Sequence, residues 1–377
     1  MNPSQKRTLI QLALFAITLI TTTLAGIEWR YGISVIYSDM PLDWNRVVGG
    51  LTFSIPFLGI LTVHEFGHYF TAQWHKVKVS LPYYIPLWFG FIGAPSLGTM
   101  GAYIRIREMI SSRTKYFDIG IAGPLAGFVV ALGVLFYGFS NLPPQQYLYD
   151  IHPEYEQYGE NYADYVYNDS TVIAFKTGNN LLFEFFKQHV ASDPERVPNA
   201  YEMVHYPWLF AGYLALFFTA LNLIPIGQLD GGHILYGLLG HEKAGGVSVV
   251  LFAAFIFYAG LGLLPFHNDY SSTELLWRIP LYVGFLYVIF SRTLTGAYNN
   301  LLLATSVFTG QYFLTLFFPE IEGYPGWIVF GFLLGRILGV KHPRVYDDRP
   351  LTTGRKILGW IALVIFVLCF TPQPFQT

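Results

Sequence analysis

The sequence contains nine apolar runs, most of them about as long as a bilayer is thick. A helix that crosses the hydrocarbon core of a bilayer needs roughly 20 mainly apolar residues. We therefore predict an all-α polytopic membrane protein with about 8–9 transmembrane helices, in which the run at 326–340 could be re-entrant. The runs lie near residues 8–27, 47–74, 117–140, 207–228, 246–265, 278–293, 300–318, 326–340 and 356–371.

The composition agrees with that of an integral membrane protein. Hydrophobic residues make up 53% of the sequence and charged residues only 12%, whereas soluble globular domains carry roughly 25% charged residues. The formal net charge of −2 gives no basic field for nucleic acid, so we predict no nucleic-acid partner. The only cysteine, Cys369, excludes an intrachain disulfide framework and a thiolate metal site.

The runs are expected to form a single membrane domain over 1–377, with the first run kept as an uncleaved span. Lys and Arg cluster before the first run, between the second and third runs, and before the ninth run. By the positive-inside rule these clusters are cytoplasmic if nine spans alternate. The segment 141–205 then forms an extracytoplasmic loop or cap, and 245–377 supplies additional C-terminal spans. Since no transit-peptide leader precedes the first run, we expect a bacterial cytoplasmic (inner) membrane.

The segment near 79–108 differs in kind from the apolar runs. It is rich in proline, glycine and aromatic residues, and it ends in an alternating stretch at 102–107. Alternation of apolar and polar residues indicates a β-strand. We predict a small interfacial β-hairpin or sheet here, whose open strand edge could pair with an unfolded substrate.

The chemistry is concentrated in the second apolar run, where the sequence reads His-Glu-Phe-Gly-His. On a helix, His64 and His68 share one face at i and i+4, so both imidazoles can bind one Zn²⁺, and Glu65 can activate zinc-bound water as general base. Ionisable residues in a membrane span are costly and are by default functional. The competing interpretation is a polar cluster that only holds helices together.

A hydrolytic zinc site needs a third protein ligand, and Asp230 is the candidate, at the end of the fourth run. The two glycines that follow it permit close backbone approach, and Pro225 interrupts the helix before it. His233 could ligate instead, and Asp230 could be an ordinary helix cap.

These residues resemble the site-2 protease family of intramembrane zinc metalloproteases, peptidase family M50. The stretch 64–68 matches the family's H-E-x-x-H, and 222–232 matches its N-x-x-P-x-x-x-L-D-G-G. Gly123-Pro124-Leu125-Ala126-Gly127 is similar to its core helix, and 98–102 to an interface strand. The resemblance covers about 45–235, which we take as the catalytic core with spans near 47–74, 117–140 and 207–228; the layout resembles the plastid and cyanobacterial branch.

The resemblance implies a zinc-dependent endopeptidase with one Zn²⁺ per chain, held by His64, His68 and Asp230. Its substrate would be a single-pass membrane protein, for example a membrane-bound transcription regulator or an anti-sigma factor, cleaved in regulated intramembrane proteolysis. Asn222 is similar to a family asparagine that contacts the substrate backbone, so we predict a substrate-binding role. The competing role for Asn222 is a hydrogen bond between helices.

Two other classes of function fit part of the sequence. An ion transporter also uses acidic residues and broken helices in its spans, but it does not explain the Glu of the His-Glu-Phe-Gly-His motif. A catalytically silent membrane scaffold would tolerate loss of Glu65 or of a ligand, and all of them are present. A metalloprotease of another lineage would usually supply Glu or His where this chain has Asp230.

Overall fold

The computed structural model describes residues 3–39, 41–167, 175–264 and 271–376. Within these ranges the chain is mostly helical. The strands are β1 (Tyr83–Leu87), β2 (Gly98–Tyr103), β3 (Lys176–Thr177) and β4 (Phe375–Gln376). The helices are α1 (Pro3–Tyr31), α2 (Trp44–Trp74), α3 (Arg113–Ser140), α4 (Gln146–Tyr149), α5 (Tyr162–Val166), α6 (Leu181–His189), α7 (Pro207–Leu223), α8 (Asp230–Leu239), α9 (His241–Ala259), α10 (Ser272–Phe290), α11 (Ala297–Phe317), α12 (Gly326–Leu333) and α13 (Thr353–Cys369).

Every predicted apolar run contains a helix, but the expected count of 8–9 spans is not confirmed. In the described part of the chain, six helices are long and apolar enough to cross a membrane: α1, α2, α3, α9, α10 and α11. The apolar helices Pro207–Leu223 and Gly326–Leu338 are shorter, and α13 has 17 residues. The chain is therefore a multi-pass membrane protein with six candidate spans. Residue 265, the last of the fifth run, lies outside the described residues.

The chain divides into two compact units. The first comprises residues 1–109, 122–221 and 365–377, and the second comprises 110–121 and 222–364. The boundaries fall inside α3, near the end of α7 and inside α13, so these helices contribute residues to both units.

In the first unit, α1 and α2 pack with their backbones in close approach. A Cβ built on Gly26 would lie 2.6 Å from the Gly50 carbonyl oxygen, and one on Gly50 would lie 2.4 Å from the Thr23 carbonyl oxygen. Small residues at a helix crossing are typical of membrane proteins, where close packing replaces the hydrophobic driving force. The buried hydroxyls of Thr22 and Ser54 hydrogen-bond beside this crossing, at 2.5 Å.

The hairpin predicted near 79–108 is present as the antiparallel pair β1–β2. Strand β2 ends at Tyr103, earlier than the alternating stretch suggested, and only an isolated bridge between Val79 and Ile106 extends the pairing. Helix α1 holds this hairpin: the Thr21 hydroxyl donates to the Gly98 carbonyl at 2.7 Å, and the Trp29 indole N–H donates to the Ser96 carbonyl at 2.7 Å. One side of the hairpin is thus covered by protein.

The loop between α3 and α7 is folded where it is described, although residues 168–174 lie outside that part. It contains α4, α5 and α6, and its strand β3 pairs with β4 at the C-terminal end of the chain. The Asn180 side chain caps α6 and also donates to the Thr371 hydroxyl at 3.2 Å. The Tyr213 hydroxyl donates to the Pro374 carbonyl at 2.6 Å. These bonds fix the C-terminal tail to the loop within the first unit.

In the second unit, buried polar side chains join helices that are otherwise apolar. The buried Gln311 of α11 donates to the carbonyl oxygens of Ile256 and Phe257 in α9, at 3.2 and 2.9 Å, and accepts from the Tyr282 hydroxyl of α10 at 3.0 Å. The side chain thereby satisfies its own hydrogen bonds while connecting three helices, as buried polar groups in an apolar setting must.

Candidate metal centre

The His-Glu-Phe-Gly-His motif lies in the last third of α2. The Asp43 side chain caps the N-terminus of this helix by accepting from the Arg46 N–H at 2.9 Å, and the helix then continues unbroken to Trp74. Pro56 stands inside the helix, two turns before the motif. His64, Glu65 and His68 are all buried, so three ionisable side chains lie within an apolar segment.

The two motif histidines converge on each other. Their Nε2 atoms are 3.0 Å apart, as the i and i+4 spacing on one helix face predicts. This separation suits either a shared proton or a shared metal ion. Two nitrogen ligands at roughly 2.0–2.1 Å from a tetrahedral Zn²⁺ lie about 3.3 Å apart. The pair therefore fits a zinc ion with only a small adjustment of side-chain torsions.

Helix α3 lies directly against this pair, and its glycines make the approach possible. A Cβ built on Gly67 of the motif would lie 2.6 Å from the Ala122 carbonyl oxygen and 3.0 Å from the Gly123 Cα. A Cβ on Gly123 would lie 2.2 Å from His68 Nε2, and one on Gly127 would lie 3.0 Å from His64 Cβ. The space beside both imidazoles exists because Gly123 and Gly127 have no side chain.

The hairpin also reaches the motif helix. The Tyr84 hydroxyl, on β1, forms a hydrogen bond with the Thr62 hydroxyl at 2.8 Å. Thr62 lies on α2, two residues before the motif. Burial raises the pKa of Tyr84, the Thr62 hydrogen bond lowers it, and the negative charge of Glu65 raises it further. Tyr84 therefore remains a neutral phenol near the Glu65 carboxylate.

The predicted third ligand lies in the second unit, where the chain makes a tight connection between α7 and α8. Helix α7 ends at Leu223, two residues before Pro225, as expected because proline disfavours helical geometry in the residue before it. Asp230 is the first residue of α8 and is half-buried. A Cβ on Gly231 would lie 2.0 Å from the Leu223 carbonyl oxygen, and one on Gly232 would lie 2.2 Å from the Gly227 carbonyl oxygen.

His233, the alternative ligand, is engaged elsewhere in the second unit. Its Nδ1 lies 2.9 Å from His342 Nε2, and its ring packs on Tyr116 with a centroid distance of 5.0 Å. Burial lowers the pKa of His342. These contacts give His233 a packing role that competes with metal binding.

The predicted site residues are thus distributed over both units. The first unit brings together His64, Glu65 and His68 on one helix, and the second unit contains Asn222 and Asp230. Asn222 lies in the last turn of α7 and is half-buried. The contact of Gly123 and Gly127 with the histidines does not follow from the motif itself; the recurrence of glycine at an interval of four in an apolar helix is the only local signal for it.

Comparison with known protein families gives a single assignment. The model of Peptidase family M50 matches residues 52–264, which is more than half of the chain. The matched region begins inside α2, before the motif histidines, and ends after α9, so it includes all five predicted site residues.

Curated relatives carry names that agree with this family. The chain is 27% identical over 229 residues to "Probable zinc metalloprotease EGY1, chloroplastic" of Oryza sativa subsp. japonica, covering 60% of this chain and 34% of that protein. It is 28% identical over 241 residues to "Probable zinc metallopeptidase EGY3, chloroplastic" of Arabidopsis thaliana, covering 61% and 36%. The chain spans about a third of the length of the curated relatives it matches. No solved structure gives a significant match.

Proposed function

Because the chain belongs to peptidase family M50, we propose that it is a zinc-dependent intramembrane endopeptidase that cleaves a membrane-spanning protein. The observation that carries this proposal is the buried imidazole pair of His64 and His68, with Nε2 atoms 3.0 Å apart inside a helix long and apolar enough to cross a membrane. The names of the relatives support Zn²⁺ as the cofactor.

The residues beside the pair fit a metal ion. Gly123 and Gly127 let α3 pack directly against both imidazoles, and an N₂O donor set with one open position is typical of hydrolytic zinc sites. We assign the third ligand to Asp230, because a carboxylate completes such a set and because the chain matches the family's L-D-G-G pattern there. His233 is the weaker choice, since His342 and Tyr116 already engage its ring.

The chemistry of each side chain determines its proposed role. When bound, the metal supplies Lewis acidity that polarises a carbonyl and acidifies water. His64, His68 and Asp230 hold the ion, and Glu65 accepts the proton of the attacking water and returns it to the leaving amine. Glu65 is buried on the same helix as the two histidines, which places its carboxylate beside the proposed ion.

The substrate must present an extended backbone, because an intact helix keeps its carbonyl groups in hydrogen bonds. We assign Asn222 to positioning that backbone, since an amide can both donate to and accept from a peptide group. The hairpin β1–β2 is a second candidate for this task through strand addition, since its two strands leave outer edges. The partners are then the bilayer and a single-pass protein such as a membrane-bound transcription regulator or an anti-sigma factor.

The scaffold and transporter interpretations fit the site less well. A scaffold does not require Glu65, and a transporter requires neither Glu65 nor a pair of imidazoles at ligand separation. As to the membrane, the matched relatives are named chloroplastic proteins, so they give no support to the prediction of a bacterial cytoplasmic membrane. A multi-pass membrane location is common to both cases.

The decisive experiment compares three forms of the purified, detergent-solubilised full chain on a single-span reporter substrate, with bound zinc quantified in each. We expect Glu65→Gln to keep zinc and to lose activity by at least about 100-fold, the usual scale for a general base. We expect Asp230→Ala to lose both zinc and activity.

Glu242→Gln is the matched control for Glu65→Gln, because Glu242 is an exposed glutamate at the start of α9. It should leave both zinc content and cleavage unchanged. Wild-type protein without zinc, or cleavage that survives in Glu65→Gln, would contradict the proposed mechanism. Full zinc binding by Asp230→Ala would instead remove only Asp230 from the ligand set.

A further inference from the structure

A second group of metal-ligating side chains lies in the loop between α3 and α7, outside the M50 motifs. It consists of His152, Glu202 and His205, all in the first unit. One ligand atom from each residue lies within 4.8 Å of the other two. Glu202 and His205 stand at i and i+3, and residues 203–205 form a single 3-10 turn. His152 comes from a turn about fifty residues earlier in the chain.

The outer nitrogen of each imidazole faces an acceptor. His152 Nδ1 lies 3.2 Å from Glu154 Oε1, and His205 Nδ1 lies 3.0 Å from the Arg30 carbonyl oxygen at the end of α1. Because a carboxylate and a carbonyl can only accept, both Nδ1 atoms must carry hydrogen. In the neutral rings, both Nε2 atoms are then lone-pair acceptors. Metal-bound histidines usually have their second nitrogen held in this way.

The two Nε2 atoms nevertheless face each other at 3.2 Å. Two lone pairs at that separation repel, so either a proton or a metal ion must lie between them. The third atom that faces them is Glu202 Oε2, 3.6 Å from His205 Nε2. In the tetrahedral geometry of Zn²⁺, neighbouring ligand atoms lie about 3.3 Å apart, which is close to both distances.

The Glu202 carboxylate adds independent evidence. The residue is 1% exposed, and its Oε2 is buried with no hydrogen-bond partner among the described residues. Its other oxygen, Oε1, accepts a hydrogen bond from the Tyr167 hydroxyl. A buried carboxylate oxygen left without a partner is costly, and a metal ion at the focus of the three side chains would satisfy it. A proton shared between the two imidazoles would bring a positive charge near Oε2, but at 3.6 Å it would not give this oxygen a hydrogen bond.

We propose that His152, Glu202 and His205 bind a second Zn²⁺ ion, separate from the His64–His68 centre. Two imidazole nitrogens and one carboxylate oxygen suit zinc, whereas Mg²⁺ and Ca²⁺ prefer oxygen alone. His152 and His205 line a cavity of about 450 Å³, together with Tyr155 and Tyr167. The proposed site therefore borders a cavity that water or a small anionic ligand could occupy. The ion would link the loop to the C-terminal end of α1 through the hydrogen bond from His205 to Arg30.

This proposal does not depend on the protease function, and metal content tests it directly. The full chain is purified in detergent with zinc supplied, and bound zinc is counted by mass spectrometry. We expect two zinc ions per wild-type chain. The double substitution His64→Ala/His68→Ala should leave one ion per chain. Adding His152→Ala, or the nearly isosteric Glu202→Gln, to this double variant should abolish binding of the remaining ion or raise its Kd by about 100-fold or more. Loss of a side chain that only hydrogen-bonds a ligand typically costs about 10–100-fold in affinity.

His189→Ala is the matched control, because His189 is an exposed histidine of the same loop. It should leave the second ion in place. If the double variant does not fold, the same comparison is made in the wild-type background, where His152→Ala should reduce two ions to one and His189→Ala should not. A wild-type chain with a single zinc that only the substitutions at His64 and His68 remove would overturn the second site. Retention of two ions by His152→Ala/Glu202→Gln would also overturn it.

Discussion

Gly123 of α3 lies against the His68 imidazole so closely that a Cβ built on it would be 2.2 Å from Nε2. Real Cβ atoms do not approach other heavy atoms to that distance. The glycine therefore leaves room for the His68 ring, which occupies the volume that a side chain would fill. This relationship makes α3 part of the candidate metal centre although it contributes no proposed ligand.

Gly123→Ala should displace the His68 ring, weaken zinc binding by at least about tenfold and reduce cleavage in proportion, since metal sites depend on ligand orientation. Gly133→Ala on the same helix is the control, because a Cβ there meets nothing within 4 Å. Both changes raise helix propensity by about 1 kcal/mol, so propensity does not separate them. Equal zinc affinity in the two variants, measured by competition with a chelator, would show that Gly123 does not position His68.

Gly67→Ala should destabilise the α2–α3 contact itself. The added methyl would meet the Ala122 carbonyl oxygen at 2.6 Å and the Gly123 Cα at 3.0 Å, and backbone atoms cannot rotate away. We expect a loss of about 1–3 kcal/mol in unfolding free energy, the usual cost of overpacking.

The control for Gly67→Ala is Gly59→Ala, two turns earlier in α2, where a Cβ meets nothing within 4 Å. Unfolding in a mixed-detergent titration provides the measurement. A Gly67→Ala protein as stable as Gly59→Ala would mean that the two helices can separate freely at this point.

Low pH should reduce the stability contributed by an ion pair in the loop after residues 334–338, which form a π-helical turn. Arg349 donates to both oxygens of Asp347, at 2.8 Å each, and this hydrogen bonding lowers the pKa of Asp347 to about 2. Since the folded pKa lies below the unfolded value of about 3.9, the ionised carboxylate contributes stability above pH 4, which is lost as pH falls through 2. Asp347 is half-buried but Arg349 is exposed, so salt should reduce the effect.

The corresponding variant is Asp347→Asn. Its Tm should be lower than that of wild type at pH 7, and the difference should shrink between pH 4 and pH 2, more clearly at low ionic strength. Asp193→Asn removes another solvent-accessible Arg–Asp pair, in which Arg196 lies 3.0 Å from Asp193. Its Tm, measured over the same pH range, provides the comparison. A Tm difference for Asp347→Asn that is constant from pH 7 to pH 2 would exclude the ion pair as its cause.

The helices and the imidazole pair could be predicted because their signals are local. An apolar run of bilayer length has few alternatives to a helix, and the i and i+4 spacing alone brings His64 and His68 to one face. The span count was harder, since several runs are near the length limit. Pro225 ends α7 at Leu223, which leaves a helix of 17 residues where the apolar run suggested 22.

The group formed by His152, Glu202 and His205 could not be predicted, because its sequence signal is not local. Glu202 and His205 have the Glu-x-x-His spacing, but His152 joins them only through the folding of a tyrosine-rich loop that has no regular period. In the same way, sequence indicated a hairpin near 79–108 but could not show that Tyr84 would contact Thr62. Contacts between distant segments depend on tertiary packing, which local patterns in the sequence do not reveal.

The Tyr84–Thr62 hydrogen bond should stabilise the hairpin against α2. Removing it with Tyr84→Phe or Thr62→Val should give a coupling energy of about 0.5–1.5 kcal/mol in a double-mutant cycle of unfolding. Zinc content should stay unchanged, because neither residue is a proposed ligand. Tyr83→Phe is the control, since Tyr83 stacks on Tyr103 at 5.6 Å and not on α2. Additive effects of the two substitutions would mean that the hydroxyls do not stabilise one another.

In the second unit, Arg355 of α13 binds Asp118 of α3 in a bidentate ion pair, with Nε–Oδ1 at 2.7 Å and Nη2–Oδ2 at 2.8 Å. Asp118 is 9% exposed, so Asp118→Asn leaves a guanidinium facing a poorer acceptor and should cost about 1–3 kcal/mol. Arg355→Lys keeps the charge but cannot form both bonds, and should cost less than Asp118→Asn.

Lys356→Gln, at the exposed neighbouring position, should leave stability within about 0.5 kcal/mol of wild type. If Asp118→Asn proves as neutral as Lys356→Gln in detergent unfolding, the pair does not hold α13 to α3, and the apolar contacts of α13 alone must do so.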